Sequence, residues 1–139
     1  MREYIFRAPY EGGPIDSPHP LPPQSAFDWT EGLEFAPTPR SAILAGDLNC
    51  RPTSEEYAHL CGEPHPKHGR IRHYDQLVDS WVAAGNGEEG VSTIYTRDGD
   101  YKIDHILTTD DLAPKVTKSW VATDEIASDH YPVFVEFDL

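Results

Sequence analysis

The chain has few basic residues and few cysteines, and each shortage excludes a class of protein. It contains 11 Lys and Arg residues against 24 Asp and Glu residues among 139, a formal net charge of −13. Such a balance repels polyanions at long range, so nucleic-acid binding through clustered basic residues is not expected. A bound divalent cation would reverse the local field, so a phosphate-bearing substrate is compatible with this charge. Two cysteines, Cys50 and Cys61, are too few for a disulfide framework.

Long apolar runs are also missing from the sequence. No stretch of 18 apolar residues occurs, so the sequence predicts no membrane-spanning helix. The first seven residues, Met1–Arg7, lack the apolar core of a secretory signal peptide. These two features predict a cytoplasmic protein.

Proline, by contrast, is abundant and unevenly distributed. Eight of the 13 prolines fall within residues 1–40. Because proline fixes φ and has no N–H to donate, this density disrupts both helices and strand ladders. We therefore predict a proline-rich irregular segment over 1–40 and a folded domain over 41–139.

Two helices and one loop are predicted in the first half of this domain. Thr53 or Ser54 is suited to cap a helix that ends near Cys61. Residues 62–72 are rich in His and Pro, which favours a loop. Apolar residues then recur at helical spacing over 74–84, which predicts a second helix.

The remaining apolar segments have the length and composition of strands. Residues 41–46 form a short apolar run that is typical of a buried strand. An Asp-Gly turn within residues 97–100 predicts a hairpin. The predicted strands after the helices are 92–96, 101–108, 116–122 and 131–139, the last with Val133, Val135, Phe137 and Leu139 on one face. This order predicts a layered α/β arrangement with a mixed β-sheet.

The tetrapeptide Gly46–Asn49 (Gly-Asp-Leu-Asn) carries the first chemical signal. Asp47 and Asn49 lie two residues apart just after a predicted strand, so both side chains leave the sheet edge on the same side. Asp can orient a water or bind Mg²⁺, and the Asn amide can donate to a phosphate oxygen. A turn stabilised by Asp and Asn explains the same residues without any chemistry.

A second signal comes from Ser128–His130 (Ser-Asp-His) and from Asp104. If the last strand runs antiparallel to strand 41–46, Ser128–His130 lies at the same sheet edge as Asp47. Asp104 stands inside an apolar strand, where an unpaired carboxylate is unfavourable. Pairing with His130 would satisfy the carboxylate and fix the imidazole tautomer. The alternative is an Asp104 side chain that points to solvent from an edge strand.

The three motifs together resemble those of the endonuclease/exonuclease/phosphatase superfamily. Its Gly-Asp-(Phe/Leu)-Asn segment is matched by Gly46–Asn49, its Ile-Asp-(Tyr/His) strand by Ile103–His105, and its Ser-Asp-His-x-Pro ending by Ser128–Pro132. The resemblance covers 41–139. It implies the C-terminal half of this family's layered α/β sandwich, with helices on one face of a mixed sheet.

The resemblance also implies a role for each matched residue. Asp47 would orient or deprotonate the attacking water, and Asn49 would help to hold the metal or the scissile phosphate. Asp104 would pair with His130, and His130 would contact the phosphate. The metal ligands would be Asp47, Asn49 and Asp129, with Mg²⁺ or Mn²⁺ as the cofactor. The implied substrates are phosphoesters: nucleic acid, an inositol phosphate or a phospholipid head group.

The N-terminal half of the family's fold is not apparent in this sequence. Complete members resemble two similar α/β halves, on the order of 250 residues in total. Neither the family's early Asn, nor its Gln-Glu segment, nor its Asn-x-His strand is found before residue 41. We therefore expect a truncated form that either self-associates through an exposed sheet face or is a fragment of a longer protein.

Three other functions fit parts of the sequence. The first is a catalytically inactive remnant that serves as a binding or interaction module. The second is a nucleophilic cysteine at Cys50, although no His or Lys adjoins it in sequence to activate it. The third is a zinc site, for which the candidate ligands are Cys50, Cys61, His65 and His68, with His59 and His73 nearby.

Overall fold

The structure is a computed structural model that describes residues 40–95, 101–125 and 127–139. The chain divides into two units between Arg40 and Ser41, and every described helix and strand belongs to the second unit. No helix in the described ranges is long and apolar enough to cross a membrane. The elements are β1 Ile43–Asp47, α1 Glu55–Cys61, β2 Glu63–His65, β3 Gly69–Ile71, β4 Val78–Asp79, α2 Ser80–Ala83, β5 Asp104–Thr108, a 3₁₀ turn Ala113–Lys115, β6 Val116–Val121 and β7 Val133–Phe137.

A three-stranded sheet in the order β1-β5-β4 carries two of the predicted motifs. Strand β5 pairs antiparallel with both of its neighbours. The β1–β5 register sets Gly46 opposite His105 and Asp47 opposite Asp104. Two carboxylates from distant parts of the sequence are therefore neighbours on adjacent strands.

Strand β1 forms where predicted, but it is not buried. Ile43 is 50% exposed, and Leu44 is the only residue of the strand that is half-buried. The cause is its position, because among the described strands β1 pairs only with β5 and lies at the edge of the sheet. A short apolar run does not distinguish a central strand from an edge strand.

Helix α1 forms as predicted and is capped by Ser54. The Ser54 backbone is extended, and its side chain accepts a hydrogen bond from the backbone N–H of Tyr57. This contact satisfies one of the unpaired N–H groups at the helix start. Tyr57 and Cys61 lie on the buried face of the helix.

The predicted loop over 62–72 is wrong in part, because it contains the β2–β3 hairpin. The Arg70 side chain connects this hairpin to neighbouring segments of the chain. It donates two hydrogen bonds to the Glu88 carboxylate, at 2.6 and 2.8 Å, and others to the carbonyls of Gly62 and Pro52. These partners are distant in sequence, so local composition gave no sign of the hairpin.

The predicted second helix over 74–84 is mostly wrong. Only Ser80–Ala83 is helical, and the preceding residues Val78–Asp79 form β4 against β5. Asp79 turns into the interior and caps the short helix by accepting a hydrogen bond from Trp81 N–H at 2.9 Å. The short helix therefore begins directly after the buried Asp79. The helical spacing of the apolar residues did not indicate this boundary.

The last third of the chain is largely β, as predicted, with shorter strands. Strands β6 and β7 pair antiparallel. Along β7 the burial alternates, with Val133, Val135 and Phe137 half-buried and the intervening residues exposed, but Leu139 is 84% exposed and does not share that face. Of the predicted strand 92–96, the described residues 92–95 contribute a single bridge, between Ile94 and His130; residue 96 and the turn at 97–100 lie outside the described residues.

The architecture is sheet-rich with short helices, which is compatible with an α/β fold. Every pairing between the named strands in the described residues is antiparallel, and the strands form three small sheets. The parallel pairs of the predicted mixed sheet are therefore not found in this part of the chain.

A polar cluster lies in the centre of the second unit. The Lys102 ammonium is 2.7 Å from the Asp79 carboxylate, and both side chains are almost fully buried. The Tyr57 hydroxyl donates to the same carboxylate oxygen at 2.7 Å. Burial alone would raise the pKa of Asp79, but the adjacent Lys102 ammonium and Tyr57 hydroxyl hold it well below its usual value.

Candidate active site

The end of β1 turns sharply into the loop that carries Asn49. Gly46 has φ of +152°, a conformation that L side chains rarely adopt. Leu48 N–H donates to the Ile103 carbonyl at 3.0 Å, so the loop is tied to the chain just before β5. Asn49 itself has φ of +50°, in the left-handed region that Asn tolerates better than most residues. The loop is therefore fixed by its backbone as well as by its side chains.

Asp47 and Asn49 contact each other directly. The Asn49 backbone N–H donates to Asp47 Oδ1 at 2.9 Å, and Asn49 Nδ2 donates to Asp47 Oδ2 at 3.1 Å. The turn that explains these residue types without chemistry is thus present. The same two hydrogen bonds orient both side chains. Each Asp47 oxygen keeps a further lone pair for a ligand, and Asn49 Oδ1, at the other end of the amide, can also accept. Both residues are accessible to a ligand in the described structure, since Asp47 and Asn49 are both exposed.

His130 is paired with Asp104, as the sequence predicts. His130 Nδ1 lies 3.1 Å from Asp104 Oδ1 and 3.0 Å from Asp104 Oδ2. Because a carboxylate only accepts, Nδ1 carries the proton and Nε2 is the atom directed away from Asp104. Among the described residues none forms a hydrogen bond with Nε2.

The backbone reaches this arrangement by a route that differs from the predicted one. Among the described strands β7 pairs with β6 and not with β1, so pairing with strand 41–46 is not what brings His130 to the site. His130 is instead held by its bridge to Ile94. Tyr95 N–H donates to the Asp129 carbonyl and Tyr131 N–H to the Thr93 carbonyl, both at 2.8 Å.

Thr93 is a site-supporting residue that the motifs did not indicate. It is fully buried, and its hydroxyl accepts hydrogen bonds from the backbone N–H groups of Ile103 and Asp104, at 3.0 and 3.1 Å. One side chain thus positions the backbone of Asp104, while the neighbouring Ile94 bridge positions His130. A lone threonine in a predicted strand carries no sequence signal for such a role.

The electrostatics of the site centre on His130. Its hydrogen bond to Asp104 raises its pKa, burial opposes this, and the charges of Asp104, Asp129 and Asp47 raise it further. Three carboxylates from three segments therefore act on one imidazole. Together they shift the ring toward its imidazolium form.

Asp129 lies on the solvent side of the site. Ser128 Oγ donates to Asp129 Oδ1 at 3.2 Å and accepts from His130 N–H at the same distance. A cavity of about 340 Å³ opens beside Asp129 and is lined by Tyr95, Ser128, Asp129 and Tyr131. The volume is at the lower end of the range for small-molecule sites.

The donor atoms fit a hard divalent cation only in part. Asp47, Asn49 and Asp129 offer carboxylate and amide oxygens, and Mg²⁺ commonly takes one or two carboxylates together with water and substrate. Within the described ranges, however, no group of three or more His, Cys, Asp or Glu side chains is arranged to hold a metal. The described residues therefore offer separate oxygen donors and not a multi-carboxylate cage.

The lack of such a ligand group among the described residues also argues against the predicted zinc site. Cys50 and Cys61 are both buried, and the His65 and His68 rings stack on each other with centroids 4.7 Å apart. Burial raises the pKa of Cys50, and raises that of Cys61 to about 12. Protonated thiols are poor metal ligands and poor nucleophiles, so the cysteine nucleophile is not supported either.

Comparison with known proteins identifies the family. No curated protein matches the chain. A model of the Endonuclease/Exonuclease/phosphatase family matches residues 8–130, which begins well before the three motifs and includes all of them except Tyr131 and Pro132. The match covers most of the chain, and the residues that carry the motifs come together in the structure. The chain belongs to the endonuclease/exonuclease/phosphatase family.

Proposed function

We propose that this protein hydrolyses phosphoesters by metal-dependent attack of water, and that residues 41–139 carry the reaction. Family membership supports phosphoester hydrolysis in general. The observation that carries the proposal is the contact between His130 Nδ1 and both Asp104 oxygens, on the strand next to Asp47. An imidazole held by a carboxylate beside a second, exposed carboxylate provides both a proton donor and a water-orienting group.

In this proposal Asp47 acts on the water. Its two oxygens are already oriented by Asn49, so a remaining lone pair can accept a hydrogen bond from a water placed for in-line attack on phosphorus. The carboxylate then orients the water and takes up its proton as the new P–O bond forms. Because Asn49 donates to both oxygens, orientation is the larger part of this role.

His130 acts on the phosphate. With Nδ1 held by Asp104, the imidazolium presents Nε2–H to a phosphoryl oxygen and stabilises the charge that develops as the leaving group departs. Asp104 fixes the tautomer and orientation of the ring and favours its cationic form. When bound by Asp47, Asn49 and Asp129, Mg²⁺ or Mn²⁺ would neutralise charge on the phosphoryl oxygens.

Substrate class follows from charge and from the cavity beside Asp129. The net charge of −13 disfavours loose binding to long polyanions. We therefore favour compact phosphoesters, such as an inositol phosphate, a phospholipid head group or a short nucleic-acid end, over extended duplex nucleic acid.

Release of p-nitrophenol from bis(p-nitrophenyl) phosphate and from p-nitrophenyl phosphate tests the proposal. We expect turnover with Mg²⁺ or Mn²⁺, none with EDTA, and a loss of about 10²- to 10⁴-fold in Asp47→Ala and in His130→Ala. Asp138→Ala and His68→Ala are matched controls, since both remove an exposed side chain of the same type elsewhere.

The alternative is a binding module without turnover, and the sparse set of metal ligands favours it. Absence of hydrolysis with every divalent ion, in a chain that is folded by circular dichroism, would support this alternative. Equal activity in His130→Ala and in its His68→Ala control would contradict the assigned site.

A further inference from the structure

The His105 side chain lies on the opposite face of β5 from Asp104 and is 1% exposed. Its two ring nitrogens have different partners. Nδ1 is 2.6 Å from Lys102 Nζ and, at a longer distance, 3.4 Å from Asp79 Oδ2, while Nε2 is 2.8 Å from the carbonyl oxygen of Cys50. The imidazole therefore connects the buried Lys102–Asp79 pair to the residue that directly follows Asn49.

The partners of the ring determine where its proton lies. An ammonium group has three donors and no acceptor, and the Lys102 ammonium also contacts the Asp79 carboxylate at 2.7 Å. The hydrogen between Nζ and Nδ1 therefore belongs to lysine, and Nδ1 accepts it. The ring proton is on Nε2, because Nε2 faces a carbonyl oxygen, which can only accept. Nε2–H then donates to the Cys50 carbonyl.

We propose that His105, fixed as the Nε2–H tautomer by Lys102 and Asp79, is a positioning residue that holds the Asp47–Asn49 loop in its active conformation. The loop is tied at its start by Leu48 N–H on the Ile103 carbonyl. The His105 bond ties it at its end. The left-handed Asn49 lies between these two points, so its backbone has little room to relax.

The Cys50 carbonyl needs this donor. Cys50 is 5% exposed, and a buried carbonyl without a partner is unfavourable. When the donor is removed, the loop gains by turning that carbonyl toward water. Such a turn moves Asn49 and, through the two hydrogen bonds between them, Asp47.

The tautomer can be measured on the unaltered full-length chain. Long-range ¹H–¹⁵N spectra of the histidine rings should show His105 protonated at Nε2 and not at Nδ1. A ring protonated at Nδ1 would overturn the proposal.

The positioning role is tested by two substitutions at the same residue. His105→Leu removes the donor, whereas His105→Gln retains an N–H near the position of Nε2. Leu112→Ala is the control for loss of core packing, because Leu112 is buried beside the 3₁₀ turn, away from the loop. We expect amide exchange at Leu48 and Asn49 to accelerate in His105→Leu but not in the other two variants.

The kinetic consequence rests on the proposed function. In His105→Leu we expect kcat to fall about 10- to 100-fold with little change in KM, and we expect His105→Gln to recover most of the loss. If the unaltered chain has no activity, the proposed function fails, while amide exchange and the tautomer still decide the positioning role. Equal exchange in His105→Leu and Leu112→Ala would overturn that role.

Discussion

Replacing Lys102 by Met should destabilise the protein strongly. The Lys102 and Asp79 side chains are 2% and 3% exposed, and their charged atoms are 2.7 Å apart. Removing one partner of a buried ion pair leaves the other charge without compensation and costs about 3–5 kcal/mol. Asp79 keeps hydrogen bonds from Tyr57 and from the backbone of Trp81, which places the expected loss near the lower end, at about 3 kcal/mol.

Chemical denaturation gives the free energy of unfolding, and thermal melting gives an independent reading. A loss of about 3 kcal/mol in a domain of this size lowers Tm by about 12–24 °C. Lys67→Met is the matched control, because Lys67 is exposed and should change stability by less than about 0.5 kcal/mol. Adding Asp79→Asn to Lys102→Met should recover part of the loss. A loss below about 1 kcal/mol in Lys102→Met, or no recovery in the double variant, would refute the account of this cluster.

Three further outcomes follow from the structure. Ser54→Ala should lower the free energy of unfolding by about 1 kcal/mol in urea titration, because it removes the cap of α1, while Ser54→Asp should retain most of it. The pKa of Asp79 is depressed on folding, so its contribution to stability is complete above the usual value of 3.8 and is lost as pH falls below it; Asp79→Asn should flatten the acid limb of a stability–pH profile. Cys50 and Cys61 should react with a thiol reagent at pH 8 only after unfolding, because burial raises the pKa of both; rapid labelling of the native chain would contradict their placement.

The parts of the fold that the sequence predicted correctly are those with a local cause. Helix α1 has its cap within the sequence, and the more buried face of β7 is formed by the predicted residues Val133, Val135 and Phe137. The predicted helix over 74–84 failed because its apolar spacing is shared by a strand followed by one helical turn. What separates the two is the buried Asp79, whose partner Lys102 is 23 residues away in sequence.

For the candidate site, the sequence motifs predicted the contact between side chains better than they predicted the path of the backbone. The Asp104–His130 contact could be predicted because a carboxylate in an apolar strand needs a partner, and a histidine was the natural one. The route of the backbone could not be predicted, since it depends on the Ile94 bridge and on the Thr93 hydroxyl. These contacts join residues that are not neighbours in the sequence, and the residues that form them have no distinctive spacing.

His105 shows the same contrast between local features, which the sequence predicts, and contacts between distant residues, which it does not. Alternation along β5 correctly predicts that Asp104 and His105 face opposite sides. It does not predict that the buried side contains a lysine and an aspartate, or that the ring reaches the carbonyl of Cys50, 55 residues away. A histidine to which the sequence analysis assigns no role is therefore connected to the loop of the candidate site.

The central claim is that Asp104 acts through His130 in metal-dependent phosphoester hydrolysis. A double-mutant cycle on kcat/KM for bis(p-nitrophenyl) phosphate, with Asp104→Asn, His130→Gln and the double variant in Mg²⁺, tests it most directly. We expect either single substitution to lower kcat/KM by about 10²-fold or more, and the double variant to be little worse than His130→Gln alone, because the two residues act as one unit. Losses that multiply in the double variant, or no turnover by the unaltered chain, would contradict it.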